Sequence, residues 1–426
     1  MSRALLDPEA AAEFQRGWRV LFACFLGVGV GVSSLLFYTS GVFILPLNEA
    51  FGWSRSQVSA QNIVGVAILA LLSPFVGMLI DRFGIRRIAF LSLIAFACGM
   101  AALSVTPGSL LAFYAITLVM AVMSCGSSPV TFTRAVNGWF DKARGLALGV
   151  ALLGTGVAGI LAPLMLTPFV EEFGWRAGYR VLALIIAASA AVVYLLIRDA
   201  PAGETAGAAA KTQDQSASGV SFAEAARSRT FVLLALIFFL VACAVGGAIV
   251  HFIPMLRDAG MSPAEAGRYA AIIGVSIMAG RLATGYLIDR FFAPRVAALL
   301  FGLAAIGYCA FLIGGPSLAL VAAVAIGFSM GAEVDLIGYL VARYFGLQSY
   351  GVVYGALYAI FLIGAGGSPF LMGWAFDAFG GYDSALMGST AALIAAAALT
   401  FALPAFEGPE RRASSDALKP AEGHAS

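Results

Sequence analysis

Twelve stretches of this chain are each long and apolar enough to cross a bilayer. They lie near 19–45, 57–80, 88–106, 109–136, 144–169, 178–197, 230–254, 266–288, 295–314, 317–342, 351–375 and 384–404. A bilayer core is crossed by about 20 residues of helix. A backbone inside hydrocarbon must satisfy its own polar groups, which a helix does within one segment. The chain is 61% hydrophobic and 11% charged, whereas a soluble domain is about half apolar and about a quarter charged. The expectation is an all-α polytopic membrane protein embedded in a lipid bilayer. A net charge of +2 gives no footing for a nucleic-acid partner. Residues 1–17 are mixed polar and the first apolar run exceeds an h-region, so a cleavable leader is not expected. All five cysteines fall inside apolar runs without ligand spacing, so they read as small packing residues, with no metal and no cofactor implied.

The twelve stretches divide six and six around a polar segment rich in small residues, PAGETAGAAAKTQDQSASG, which reads as a flexible linker. The expected organisation is an N-terminal segment 1–18, a first six-helix bundle 19–197, a linker 198–229, a second bundle 230–404 and a tail 405–426. With the N-terminus placed inside, 18 of the 25 Lys and Arg residues fall in inside segments and 5 in outside loops. That asymmetry predicts both termini in the cytoplasm of a cell whose inner membrane holds the chain. The remaining two, Arg134 and Arg281, fall inside spans.

The two halves resemble each other. GMLIDRFGIRR (77–87) closes span 2 and GYLIDRFFAPR (285–295) closes span 8, pairing Gly77, Asp81 and Arg82 with Gly285, Asp289 and Arg290. Gly145, Gly149, Pro163 and Gly174 of span 5 pair with Gly351, Gly355, Pro369 and Gly380 of span 11 at a similar offset. Two regions with near-equal offsets indicate a duplicated six-span unit, a repeat plan of secondary transporters.

The loop G-x-x-x-D-R-F-G-x-R-R after span 2, echoed after span 8, resembles the signature of the major facilitator superfamily. That resemblance covers the whole chain and implies two pseudo-symmetric six-helix bundles. FDKARGLALGVALLG (140–154) is similar to the span-5 signature of the monocarboxylate porter family. Arg281 stands where those porters, and the related oxalate/formate antiporters, carry a substrate-binding arginine. The chain departs from the family in span 1, where GVGVGVSS replaces an acidic-Gly motif and Tyr38 lies in the region of a lysine. Ile277 occupies the place of a carboxylate one turn before Arg281, and 351–375 holds no lysine.

Asp81 could accept hydrogen bonds from backbone N–H groups at a helix N-terminus. Arg82, Arg86 and Arg87, with Lys142, Arg144, Asp289 and Arg290, could latch the halves together on the cytoplasmic side. Plain topology signalling is the rival reading. Glycines 145, 149, 154, 156 and 159, and their span-11 counterparts, permit close and sliding helix contacts.

Four ionisable residues lie at membrane depth: Arg134, Arg281, Glu333 and Asp335. Each costs about 2.5–3.5 kcal/mol at a helix centre, so they must pair or face a polar cavity. Glu333 and Asp335, two residues apart, point about 200° away from each other and should have different tasks. A guanidinium holds a carboxylate bidentately and cannot be deprotonated, so Arg281 is the candidate substrate residue, or else a permanent ion pair. Glu333 or Asp335 is the candidate proton carrier. Arg134 is either a second anion contact or a residue reaching for the interface. Tyr38, Asn62, Tyr354 and Tyr358 could line the cavity, and His251 reads as an outer-interface residue. The expected function is transport of a small organic monocarboxylate by alternating access with proton symport. Exchange of organic anions, or proton-driven efflux of drugs or metabolites, are the alternatives. No nucleophile–base pair or metal set suggests an enzyme, and the chain is expected to work as a monomer.

Overall fold

The computed structural model describes residues 8–198, 219–346 and 348–405. Its helices are α1 (Pro8–Val30), α2 (Val32–Phe51), α3 (Arg55–Ser59), α4 (Gln61–Phe83), α5 (Ile85–Leu103), α6 (Leu110–Ser124), α7 (Pro129–Trp139), α8 (Arg144–Phe173) and α9 (Trp175–Leu196). Then come α10 (Phe222–Arg227), α11 (Arg229–Asp258), α12 (Pro263–Ile288), α13 (Ala293–Gly314), α14 (Ala319–Phe345), α15 (Tyr350–Phe379) and α16 (Asp383–Thr400).

Among the described residues, ten helical runs are long and apolar enough to cross a membrane, or eleven when the bent run Arg55–Phe83 counts as one. One of the ten, Ala293–Phe345, holds 53 residues. As one straight helix it would measure about 80 Å, more than twice a hydrocarbon core. It turns back at Gly315, whose φ of 53° suits glycine, and its two parts α13 and α14 pack against each other. Divided there, the runs give the twelve expected crossings. The α1–α2 and α6–α7 crossings are each interrupted in mid-course. Gly31 marks the first break, because a Cβ there would sit 2.2 Å from the Ser127 carbonyl oxygen. The break is held by the Val32 N–H donating to Ser127 Oγ at 3.2 Å.

Helical structure extends beyond the expected spans in the N-terminal segment and in the linker. Residues 8–18 extend α1 beyond the expected span, and Glu13 accepts from the N–H groups of Asp141, Lys142 and Ala143 at 3.0–3.2 Å. One carboxylate thus caps the α7–α8 turn, which explains why the extension stays helical. Of the expected linker 198–229, residues 199–218 lie outside the described set. Phe222–Arg227 forms α10, started by a reciprocal capping box between Ser221 and Glu224. The tail 406–426 also lies outside the described set.

Packing between the halves follows the repeat. α2 meets α11, α8 meets α12, and α3–α4 meet α15. In span numbers, 1 meets 7, 5 meets 8 and 2 meets 11. Exchanging the halves maps this set onto itself, as a pseudo-twofold axis along the bundle requires. One end of the bundle carries Arg82, Arg86, Arg87, Lys142, Arg144 and Arg290; it is the basic end, and the other is the far end.

Candidate functional site

The site is set by the approach of α12 to α14. A Cβ on Gly327 would lie 2.5 Å from Ile273 O, one on Gly331 2.3 Å from Ile277 O, and one on Gly280 2.7 Å from Phe328 Cα. Only glycine allows these backbones so close, which is the small-xxx-small logic of membrane helices. One turn after Gly331 stands Asp335, and one turn after Ile277 stands Arg281. The contact therefore brings Arg281 Nε to 3.5 Å from Asp335 Oδ2.

That pair is loose. Arg281 Nε is buried without a hydrogen bond. Its side chain is 27% exposed and that of Asp335 36%. Among the described residues, the terminal guanidinium nitrogens have no hydrogen-bond or ion-pair partner. Two residues earlier on the same helix, Glu333 points the other way. It is 2% exposed, and its Oε1 is buried without a partner. Thr284 Oγ1 and Ser329 Oγ, on the same two helices, are also buried and unpaired. Unsatisfied buried polar groups are uncommon in a settled core, and several on these two packed helices mark a place where water or a ligand is expected.

Three tyrosines lie in the neighbourhood of the arginine. Tyr38 lies within Coulombic range of Arg281 and Glu333, Tyr354 of Arg281 and Asp335, and Tyr358 of Arg281. Tyr38 comes from the first half and the other two from the second, so the group sits between the bundles. Tyr308 of α13 lies near Glu333 and donates its hydroxyl to Ala244 O at 2.8 Å. Asn62 and Arg134 are elsewhere. Asn62 is in the first turn of α4 at the far end, where its amide donates to Ser59 O at 3.1 Å. Arg134 is at the basic end, ion-paired with Asp81 and donating to Gly77 O at 3.4 Å.

Among the described residues, the polar and ring contacts of Asp81, Arg82, Arg86 and Arg290 in the two D-R-F loops lie within their own half. Asp81 meets Arg134 rather than helix N–H groups. Arg86 donates to Tyr194 O at 2.7 Å and lies over the Tyr194 ring. Arg82 stacks on Phe83 and Arg290 on Tyr286. Lys142 pairs with Glu9 at 3.4 Å and Arg144 with Asp141 at 2.9 Å. Asp289 terminates α12. No contact of Arg87 is part of this set. Cβ atoms built on Gly145, Gly149, Gly285, Gly351 and Gly355 would meet nothing within 4 Å. Among the described residues, none of these loop contacts or glycine positions joins the halves at the basic end, which in that set is open between them.

The far end is closed. A Cβ on Gly41 would lie 2.1 Å from Val250 O, one on Gly274 2.6 Å from Gly159 C, and one on Gly373 2.7 Å from Ser56 N. Polar contacts join the halves as well. Arg55, 7% exposed, donates to both oxygens of Asp258 at 2.5 and 2.8 Å and to the Tyr382 hydroxyl at 2.7 Å. Its guanidinium lies 3.6 Å from the centroid of Phe376. Asp377 accepts from the N–H groups of Arg55 and Ser56 at 3.1 and 2.9 Å, an anion at the start of α3. His251 is fully buried rather than interfacial. Its Nε2 lies 2.8 Å from Pro369 O, and a carbonyl only accepts, so Nε2 carries the hydrogen. Nδ1 then accepts from the Tyr382 hydroxyl at 2.9 Å. Ser59 Oγ, from the first half, lies 3.0 Å from Nε2.

Sequence reasoning did not reach this far-end network. Arg55, Asp258 and Asp377 are separated by 203 and 322 residues in the pairs they make, and nothing local marks them as partners.

The sequence profile of the Major Facilitator Superfamily matches residues 26–369. The chain belongs to that superfamily. It is 24% identical to an MFS-type transporter of Gibberella moniliformis, over 85% of each chain. It is 25% identical to monocarboxylate transporter 13 of Rattus norvegicus, over 92% of this chain and 89% of the relative. With the Fujikurins efflux protein of Gibberella fujikuroi it shares 28% over 68% of this chain and 60% of the relative. Among solved structures it is similar to a bacterial homologue of the human lysosomal transporter Spinster. In the inward-facing, unoccupied form of that protein the TM-score is 0.70, with 20% identity over 90% of this chain and 96% of the other. That likeness supports the fold alone. The chain is thus a multi-pass membrane transporter and not an enzyme.

Proposed function

We propose that this transporter moves a small organic monocarboxylate together with a proton, by alternating access between two six-helix bundles. The observation that carries the reading is the Arg281 guanidinium, part-exposed, whose terminal nitrogens have no partner among the described residues while Nε lies 3.5 Å from Asp335. An arginine stays charged whatever its surroundings. Empty, it keeps Asp335 as a loose counter-ion. Loaded, it holds the substrate carboxylate in a bidentate pair. Glu333, buried with an unpartnered oxygen, is the proton carrier, because a carboxyl in that place travels at lower cost protonated. The two acids thereby divide the tasks that their spacing keeps apart. Relatives named monocarboxylate transporters support the substrate class.

Basic loops support an inner-membrane protein with both termini cytoplasmic, so the present conformation is open inward. Gly77, Asp81, Arg82, Arg86, Arg87, Lys142, Arg144, Gly285, Asp289 and Arg290 then form the cytoplasmic gate, and Arg55 with Asp258 and Asp377 the outer one. Arg134 belongs with the gate through Asp81, and Asn62 with the outer closure. The bundles are assigned to 19–197 and 230–404, and the functional unit to the monomer.

Uptake of labelled acids into proteoliposomes tests the reading. An inward pH gradient without counter-substrate should drive uptake in the wild type. Arg281→Ala should remove at least about 90% of it, and Glu333→Gln should remove gradient dependence. Uptake that requires an internal anion and ignores the gradient identifies an exchanger instead. Wild-type transport by Arg281→Ala overturns the site.

A further inference from the structure

The site has a second chemical feature beside its charge. Tyr350, Tyr354, Tyr358 and Phe361 share one face of α15, and their rings form a continuous ladder. Successive centroids are 5.8, 5.7 and 5.7 Å apart, and the planes deviate by only 16°, 11° and 15°. Four residues of helix rise about 6 Å, so the ladder follows the helix axis. It runs from the mouth at the basic end toward mid-membrane, passing Arg281 at Tyr354 and Tyr358.

Three details distinguish this ladder from a packing stripe. The three rungs near the mouth are half-buried tyrosines, and the deepest rung, Phe361, is buried and lacks a hydroxyl. Hydroxyls therefore stand on the part-exposed rungs and stop at the buried one. Among the described residues, the hydroxyls of Tyr354 and Tyr358 make no hydrogen bond. Beside the rungs stand Gly351 and Gly355, where a Cβ would meet nothing within 4 Å. Among the described residues no side chain comes within 4 Å of these two positions, while a Cβ on Gly338 of α14 would lie 3.1 Å from the Tyr350 hydroxyl. Tyr38 of the first half lies within Coulombic range of the same arginine.

A small carboxylate needs only Arg281. It would leave the aromatic surface wet. A ligand with a flat aromatic body places its carboxylate on Arg281 and its ring among the tyrosines, where offset or edge-to-face contacts add to area burial. We propose that the tyrosine ladder is the body-binding surface of the site and selects aromatic carboxylic acids over short aliphatic ones. This inference rests on the monocarboxylate reading above.

The test is titration calorimetry on the purified full-length protein with benzoate, phenylacetate and propionate. The readout is the ratio of dissociation constants, aliphatic over aromatic. The wild type should favour the aromatic acids by about tenfold, the scale of two aromatic contacts. Tyr354→Phe should keep the ratio, since the ring remains. Tyr354→Leu and Tyr358→Leu should each bring it toward about threefold, and together toward parity. Two single variants guard against one failing to fold. Equal wild-type affinity for propionate and benzoate overturns the inference. So does a ratio unchanged in both leucine variants, which would make the ladder a packing stripe. Binding of none of the three acids, with Arg281→Ala indistinguishable from wild type, removes the monocarboxylate reading itself.

Discussion

Replacing Arg55 by glutamine should open the far end of the bundle. Arg55 ties α3 of the first half to Asp258 and Tyr382 of the second through three hydrogen bonds, two of them bidentate to a carboxylate. A hydrogen bond to a charged group contributes about 1.5–3 kcal/mol when buried. The Asp258 side chain is 34% exposed, so water recovers part of what is lost, and exposed ion pairs are worth little. Glutamine also keeps one donor. The net loss works out at about 2 kcal/mol, borne only by the conformation in which the halves touch at that end. A two-state equilibrium then moves about 30-fold toward the far-open form. Ser59, fully buried behind the latch, provides the reporter. In a Ser59→Cys background, labelling by a membrane-impermeant maleimide from the far side should rise by about that factor in Arg55→Gln. Labelling within about twofold of the Arg55 background, in a protein that still folds, would refute the idea that these contacts hold the far end shut.

Two further outcomes follow from the same geometry. Gly41→Ala must move the Val250 carbonyl outward by over 1 Å from its 2.1 Å approach, at about 1–3 kcal/mol of overpacking, so Ser59→Cys labelling should rise there too. Gly355→Ala adds a methyl to empty space and should leave far-side labelling unchanged; equal effects of the two would contradict the asymmetry. Outside the membrane, backbone and hydroxyl donation from Ser221 holds the Glu224 carboxyl below its ordinary range. Its lowered folded value means the contribution is present above about pH 4.3 and fades as pH falls through the folded value. Carbon NMR of Glu224 should show a midpoint below about 4.3, and Ser221→Ala, which removes the hydroxyl donor but keeps the backbone N–H, should raise it only part of the way.

Much of the architecture is written locally. Length and hydropathy of each run mark a crossing, because lipid demands an internally bonded helix whatever its neighbours. Repeated glycines and the D-R-F loops at fixed offsets mark the duplication. The same logic placed Arg281, Glu333 and Asp335 at depth, since each is an isolated charge within an apolar run. It misplaced the boundaries of ordered structure at both the first helix and the linker. Glu13 caps a turn 128 residues away, and the capping box at Ser221 lay inside a segment whose composition spoke for a coil.

The division of labour between the two acids needed three dimensions. Spacing requires Glu333 and Asp335 to face apart, but only the Gly331–Ile277 contact decides that Asp335 is the one turned toward Arg281. Helical rotation is a property of one segment, and the choice of neighbour belongs to the packed bundle. The same holds for the ladder and the far-end latch. A sequence records that Tyr350, Tyr354 and Tyr358 share a face, and that Arg55 and Asp258 sit near span ends. Whether that face meets lipid, another helix or the pathway, and whether that arginine meets that aspartate, depends on how two halves dock. Docking is set by backbone approach at glycines, which carry no side-chain signal of their own.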